Sequence, residues 1–408
     1  VLSEVEVSNR SSKENKATGM IADNQKIYSV KPQLDLDCQK HLFSIDPEIS
    51  YLNNAYRGPL LKASENAALS DLGKMRNPQE LQPSDFFTET EEVRGLFAQL
   101  ISAQSDEIAI IPSTSYGFAI ALSNWADQKG KKAITVKDEF PSGYFAVKRW
   151  AEEQEASLEV IGEDAELSWN DKILDAIDEH TALVLISSVH WMNGYIFDLE
   201  AIGAKCKKVG ACFIVDGTQS VGAKPIDVKA CKIDALICAT YKWLLGSYSL
   251  GLAYFGEKFQ SGKPLEESWM NRSNSRNFSD LTNYRQEFLP KAHRFDVGES
   301  SHFILMPILK KSLEQILQWT TEEIQHYTSD LKKYLFENLE LDLFHAQSSS
   351  NHLFALPLKP GLNPQVLKSD LENEKVFVSV RGQSLRVSLH LYNDQRDIQR
   401  LVSVLEKS

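Results

Sequence analysis

Seven short apolar runs, at residues 108–111, 133–136, 158–161, 183–187, 212–215, 235–238 and 252–255, punctuate the middle of the chain. Each is too short for an ordinary helix, and several are apolar at every position rather than at alternate ones. A strand with both rows of side chains apolar needs cover on both faces, which is the condition of a strand inside a mostly parallel sheet. Between the runs lie polar or Gly-containing turns and stretches with helical spacing, at 143–152, 170–178 and 199–209. This alternation predicts an α/β fold, a mostly parallel sheet with helices on both faces. Ligands in such sheets bind beyond the carboxyl ends of the strands, so the residues that follow each run are where chemistry is expected.

After residue 256 the pattern changes. A stretch rich in Asn, Ser and Arg at 271–283 reads as a long surface loop, and two helices follow at 303–318 and 322–338. Strand-like runs at 353–356, 376–379 and 385–389 then alternate with helical stretches at 364–374 and 394–405, which predicts a small α/β domain. The expected division is a disordered or extended tail over 1–24, a large ligand-binding domain over 25–285 with an N-terminal arm at its start, and a small C-terminal domain over 286–408. The first residues lack a basic start followed by an apolar block, so they read as neither a signal nor a transit peptide. With 44 basic against 56 acidic side chains the net charge is −12, which argues against nucleic-acid and anionic-membrane partners. No apolar run reaches the roughly 18 residues of a membrane span. The five cysteines are an odd number without CxxC spacing, so neither a disulfide framework nor a metal site is expected, and reduced thiols suit a cytoplasmic protein.

Two strand ends carry the strongest chemical signal. Phe213-Ile-Val-Asp216-Gly-Thr-Gln219-Ser-Val-Gly222 is followed by Ala235-Leu-Ile-Cys-Ala-Thr240-Tyr241-Lys242-Trp-Leu-Leu-Gly246. An Asp at one strand end can keep a pyridine nitrogen protonated, and a Lys at the end of the next can form an imine with an aldehyde. Those are the two protein groups that pyridoxal 5'-phosphate demands. Either residue alone would read as a solvated charge; the pair points to the cofactor.

With these residues the sequence resembles the class V branch of the fold-type I aminotransferases, which includes cysteine desulfurases, selenocysteine lyases, kynureninases and isopenicillin epimerase-like proteins. The resemblance runs from about residue 49 to the C-terminus. Tyr51-Leu-Asn-Asn-Ala-Tyr-Arg-Gly-Pro59 is similar to the family segment that leads into the active site. Pro112-Ser-Thr-Ser-Tyr-Gly117 stands where a strand hands over to a helix, and the resemblance makes Thr114 and Ser115 the phosphate contacts. Asp138-Glu-Phe-Pro-Ser-Gly143 falls where relatives place a ring over the cofactor, which implies Phe140 as the stacking ring. Val189-His-Trp-Met-Asn-Gly194 supplies His190 and Asn193 as substrate-side candidates, with Trp191 beside them. Gln219 falls where desulfurases place a Gln against the cofactor's phenolic oxygen. Tyr241 resembles the phosphate-bonding tyrosine of kynureninases, and since the position three before the lysine is Ala239, Thr240 is the expected hydroxyl contact.

Further along, Arg294-Phe-Asp-Val-Gly-Glu-Ser-Ser301 is similar to a segment that in relatives reaches the neighbouring subunit, which implies a homodimer with active sites at the subunit interface. Ser379-Val-Arg381-Gly-Gln-Ser-Leu-Arg386-Val-Ser388 resembles the segment that binds the substrate carboxylate. Arg386 is the expected ligand, because a planar guanidinium holds a carboxylate by two parallel bonds, and Arg381 is an accessory candidate. Desulfurases that relay sulfur carry a cysteine in a loop between those two arginine positions; here the loop is Gly-Gln-Ser-Leu.

The resemblance therefore implies a cofactor-dependent enzyme acting on a small α-amino acid. The first expectation is a lyase of the cysteine desulfurase-like group, performing C–S or related β-elimination without a persulfide cysteine. Lys242 would serve as imine partner and as general base. Amino-group transfer to a 2-oxo acid, epimerisation and kynureninase-like hydrolysis stay open. A non-catalytic cofactor-binding protein is disfavoured by the intact Lys242, Asp216 and Arg386. A dinucleotide-binding dehydrogenase is disfavoured by the lack of a GxGxxG at the first βα unit. Spacing does not order the roles of Arg57, Trp191 and Trp269.

Overall fold

The computed structural model describes residues 36–162, 167–341, 348–359 and 361–408. The expected tail over 1–24 lies outside them. The described elements begin with β1 (Ser50–Tyr51), α1 (Lys62–Lys74) and α2 (Thr88–Leu100). The alternating region follows: β2 (Ile108–Ile111), α3 (Thr114–Ser123), β3 (Lys132–Val136), α4 (Pro141–Glu153), β4 (Ser157–Ile161), α5 (Trp169–Ala176), β5 (Thr181–Ser187), α6 (Leu199–Val209), β6 (Cys212–Asp216), β7 (Ala235–Ala239) and β8 (Gly251–Phe255). The chain ends with α7 (Leu305–Trp319), α8 (Thr321–Asn338), β9 (Leu353–Pro357), α9 (Pro364–Asn373), β10 (Val376–Phe377), β11 (Ser379–Arg381), β12 (Ser384–Ser388) and α10 (Gln395–Lys407).

All seven apolar runs are strands of one sheet, in the order β2-β8-β7-β6-β5-β3-β4. Pairing is parallel from β4 through β7, and β8 runs antiparallel to both of its neighbours. The period of two along each strand sorts its side chains into two cores. Val184 and Ile186 of β5 join Ile134, Val136, Phe213, Val215 and Leu236 on one face, beneath residues of α2, α6 and α7. Leu183 and Leu185 join Ala133, Cys212, Ile214, Ala235 and Ile237 on the other, against α3 and α4. Every residue of β5, β6, β7 and β8 is buried, while the edge strand β4 is partly exposed. Cover on both faces therefore explains why the central runs lack alternation.

A third cluster, with Leu331, Leu335, Phe354, Leu371, Leu385, Val387, Ile398 and Leu401, packs α8, α9 and α10 against the three-stranded sheet β11-β12-β9. Leu52, just after β1, belongs to this cluster, because β1 pairs in parallel with β10 and Asn53 bridges to Ser388. The start of the described chain is thus laid against its end. The stretch 271–283 is irregular apart from short 3-10 turns. Among the described residues no helix is long and apolar enough to cross a membrane.

Candidate active site

The carboxyl ends of β2, β3, β5, β6 and β7 open on one pocket. Thr114, Phe140, Ser187, Trp191, Asp216, Thr218, Gln219, Ala239, Tyr241 and Lys242 line it.

Asp216 ends β6 and is buried. Its Oδ1 accepts the Thr218 backbone N–H at 2.9 Å. Burial raises its pKa above the usual carboxylate value, while the bonds to Thr218 and the charge of Lys242 act the other way. Lys242 is equally enclosed, and burial pushes its amine down to about 8, opposed by the attraction of Asp216. An amine with that value gives up its proton more readily than an exposed lysine, which readies it as nucleophile and base. Its Nζ stands 5.6 Å from the ring centres of both Phe140 and Tyr241.

The backbone of Lys242 is clamped from the N-terminal segment. Gly58 N–H donates to the Tyr241 carbonyl at 2.9 Å, and Asn54 Nδ2 donates to the Lys242 carbonyl at 3.4 Å. A Cβ on Gly58 would stand 2.2 Å from that carbonyl oxygen, so only glycine permits the approach. Tyr392 in turn donates its hydroxyl to Asn54 Oδ1 at 3.0 Å. On the far side Gly222, at φ +95°, packs beneath the Trp243 carbonyl, where a Cβ would come within 2.5 Å.

Phe140 is the N-cap of α4, and Pro141 takes the first helical position, where a missing N–H costs nothing. A buried carboxylate fixes this corner. Glu139 accepts the N–H of Phe140 at 2.7 Å and the N–H of Ser187 at 2.7 Å, and it also accepts the Ser187 hydroxyl. It thereby ties the end of β3 to the end of β5. Burial outweighs these bonds and pushes Glu139 up to about 7, with Asp216 contributing repulsion. Trp191 sets its ring perpendicular to Phe140, 5.5 Å between centres, and its Nε1 donates to the Asp138 carbonyl at 2.7 Å.

At the start of α3 Ser113 is the N-cap, its Oγ accepting the Tyr116 N–H at 3.3 Å. The first-turn amides of α3 are the kind of donor set that suits an anion. Thr114 lines the pocket, whereas Ser115 is exposed with its hydroxyl 2.9 Å from that of Ser113. Gln219 lines the pocket while its amide bonds inward: Trp243 Nε1 donates to its oxygen at 2.8 Å, and its nitrogen donates to the Ala55 carbonyl at 3.2 Å. The Thr240 hydroxyl is directed at the carbonyls of Ser247 and Leu250, at 2.7 and 2.8 Å. The Tyr241 ring packs on Tyr248, 4.8 Å between centres, and burial raises its hydroxyl pKa.

His190 and Asn193 stand behind the pocket. The His190 ring is buried against Trp169, with Nδ1 3.0 Å from Asn193 Oδ1 and Nε2 3.1 Å from the Asp138 carbonyl, and burial lowers its pKa. Arg386 is buried under Trp191. It donates to the Trp191 carbonyl at 2.8 Å and to Ser379 Oγ at 3.4 Å, and its Nε has no partner. Burial, then the charge of Arg381, lowers its pKa to about 9.

Of the residues singled out from sequence, the pocket brings together Thr114, Phe140, Asp216, Gln219, Tyr241 and Lys242, with Trp191 beside them. Glu139, Ser187, Thr218, Asn54 and Gly58 were missed. Glu139, three residues past the end of β3 and next to the predicted ring, reads in sequence as a solvated charge; the others act through backbone contacts that spacing does not reveal.

Residues 73–401 match the family model described as Aminotransferase class-V. The uncharacterized aminotransferase YcbU of Bacillus subtilis is 25% identical over 325 residues, covering 77% of this chain and 82% of that protein. A probable cysteine desulfurase of Pyrococcus abyssi is 26% identical over 340 residues, covering 78% and 82%. A kynureninase of Shouchella clausii is 23% identical over 315 residues, covering 74% and 73%. Among solved structures, a C-DES variant with glycine covalently linked to its PLP cofactor superposes with a TM-score of 0.81 at 19% identity, over 90% of this chain and 98% of that one. The apo cysteine desulfurase of Thermococcus onnurineus gives 0.78 at 20%, over 91% and 98%. At such identities the structural likeness speaks for the fold.

Proposed function

The chain belongs to the class-V aminotransferase family, and from that premise we propose that it is a pyridoxal 5'-phosphate enzyme that eliminates a β-substituent from a small α-amino acid. The observation that carries this reading is a buried amine, held near pKa 8, sharing one pocket with a buried carboxylate under an aromatic ring. These groups fit the cofactor: Lys242 for its aldehyde, Asp216 for its ring nitrogen, Phe140 for its face, and the amino end of α3 with Thr114 for its phosphate. When bound, pyridoxal phosphate supplies an aldehyde for the substrate's amino group and a ring that draws electrons from the α-carbon.

The chain's own residues do the rest. Asp216 holds a proton on the ring nitrogen. Arg386, buried with no carboxylate partner among the described residues, takes the substrate carboxylate and so turns the α-hydrogen toward Lys242. Lys242 Nζ, once released, removes that hydrogen as base. Glu139 keeps Phe140 and Ser187 in place. Persulfide relay is disfavoured, because burial raises the pKa of Cys206, Cys212, Cys231 and Cys238 and the turn between Arg381 and Arg386 carries no thiol. We infer also that two copies associate at the pocket mouth, where Tyr56 and Tyr248 are 61% and 63% exposed; a monomer in sedimentation would refute this.

The test is incubation with cysteine, cystine and other β-substituted amino acids. Pyruvate without an added 2-oxo acid is the expected result. No pyruvate, but the substrate's own 2-oxo acid with its β-substituent retained (3-mercaptopyruvate from cysteine) and formed only when a second 2-oxo acid is added, would overturn elimination in favour of transamination.

A further inference from the structure

A second guanidinium stands beside Trp191 of the pocket wall. Arg381 and Arg386 sit on the hairpin of β11 and β12, where Ser379 is opposite Arg386 and Arg381 is opposite Ser384. The two arginines are therefore diagonal neighbours on one face, with about 7–8 Å between positions of this kind. Trp191 joins them. Its carbonyl accepts from Arg386 at 2.8 Å, and its ring lies 5.5 Å from the Arg381 guanidinium carbon. The same ring leans on Phe140, so both guanidiniums are indexed to the pocket wall.

Neither has a matching charge. Among the described residues no carboxylate forms an ion pair with Arg381 or Arg386, although the chain as a whole carries a net charge of −12. The Nε of each is buried without a partner, and the rest of the Arg381 donors reach only its neighbour's carbonyl, Val380 O, at 2.8 Å. Both arginines lower the pKa of Lys242 through repulsion, which means that both charges are felt in the pocket. Two like charges on one face repel unless an anion comes between or beside them. One α-carboxylate satisfies one guanidinium by two parallel bonds and leaves the other.

Building on the reading of Arg386 given above, we propose that Arg381 binds a second anionic group on the substrate's side chain, so that the preferred substrates are acidic amino acids with a carboxylate or another small oxyanion beyond the α-carbon. Trp191 is then the spacer that separates the two anion positions.

The holoenzyme is titrated with aspartate, asparagine, glutamate and glutamine, following the visible absorbance of the bound coenzyme, and calorimetry compares succinate with butyrate. Each acid is expected to bind about tenfold tighter than its amide, and succinate than butyrate, as for one additional charge-assisted hydrogen bond. Arg381→Gln collapses the ratio to about one by weakening the acids, and Arg381→Lys restores part of it; Arg386→Gln weakens acid and amide alike. An acid-to-amide ratio of one in the unaltered protein overturns the proposal. So does an Arg381→Gln protein that loses acid and amide by the same factor, since both arginines would then serve a single carboxylate. A succinate preference without any response to amino acids breaks the reading of the reaction and keeps the anion site. An amino-acid response without preference for acids does the reverse.

Discussion

Arg94 and Arg386 are both 1% exposed, yet the molecule treats them in opposite ways. Arg94, on α2, forms an ion pair with Asp296 and donates to the Ile108 carbonyl, while Asp296 accepts the Ile110 N–H at 2.8 Å. Every partner comes from within, and the result is a rivet between α2, β2 and the segment around Asp296. Arg386 meets a carbonyl and a hydroxyl, and no opposite charge among the described residues. Burying an unmatched cation costs free energy that packing alone does not return. The contrast teaches that a buried ion matched from inside is architecture, whereas one left unmatched beside a pocket is shaped for something that arrives.

The largest expected effect falls on the matched ion. Arg94→Ala leaves Asp296 buried alone and should cost about 3–5 kcal/mol of stability, measured by denaturant unfolding. A change below about 1 kcal/mol would dissolve the contrast. Arg386→Gln should do the opposite, holding stability within about 1 kcal/mol while amino-acid affinity falls on the order of 100-fold. If unfolding shifted as far as for Arg94→Ala, Arg386 would be architecture as well.

Lys242 sharpens the comparison, since its buried charge is matched only in part, by Asp216. Its amine is neutral above about pH 8 and protonated below. Coenzyme attachment to cofactor-free protein should rise with pH, by about tenfold per unit below that value, and level off above it. A rise that continues past pH 10 would mean an ordinary lysine. The smallest effect belongs to Thr240, whose hydroxyl is turned inward to Ser247 and Leu250. Thr240→Val should lose about 1 kcal/mol of stability with coenzyme affinity unchanged. Loss of affinity would restore Thr240 as a cofactor contact.

The sheet was legible because its strands are covered on both faces, and a fully apolar run of four or five residues has few other uses. The site was legible to the extent that it lies at strand ends: Asp216 and Lys242 close β6 and follow β7, and the chain order alone brings them close. What escaped depends on contacts between distant segments. Residues 50–51 pair with 376–377, and α1 and α2 pack on α7, none of which leaves a local pattern. Hydroxyl direction was equally hidden, so Thr114 and Ser115 look alike in sequence although one lines the pocket and the other is exposed. Glu139 escaped because a charged letter after a strand normally signals solvent, and here three donors draw it inward.

The clamp on the Lys242 backbone has a consequence for biosynthesis. Asn54 and Gly58 press on that carbonyl, and Tyr392, which steadies Asn54, is made 338 residues after it. A polypeptide still emerging from the ribosome has its reactive lysine long before it has the tyrosine that locks the lysine's setting. Translation must therefore have passed residue 392 before the cradle closes, and a product cut short before that residue would carry the amine without its finished surroundings.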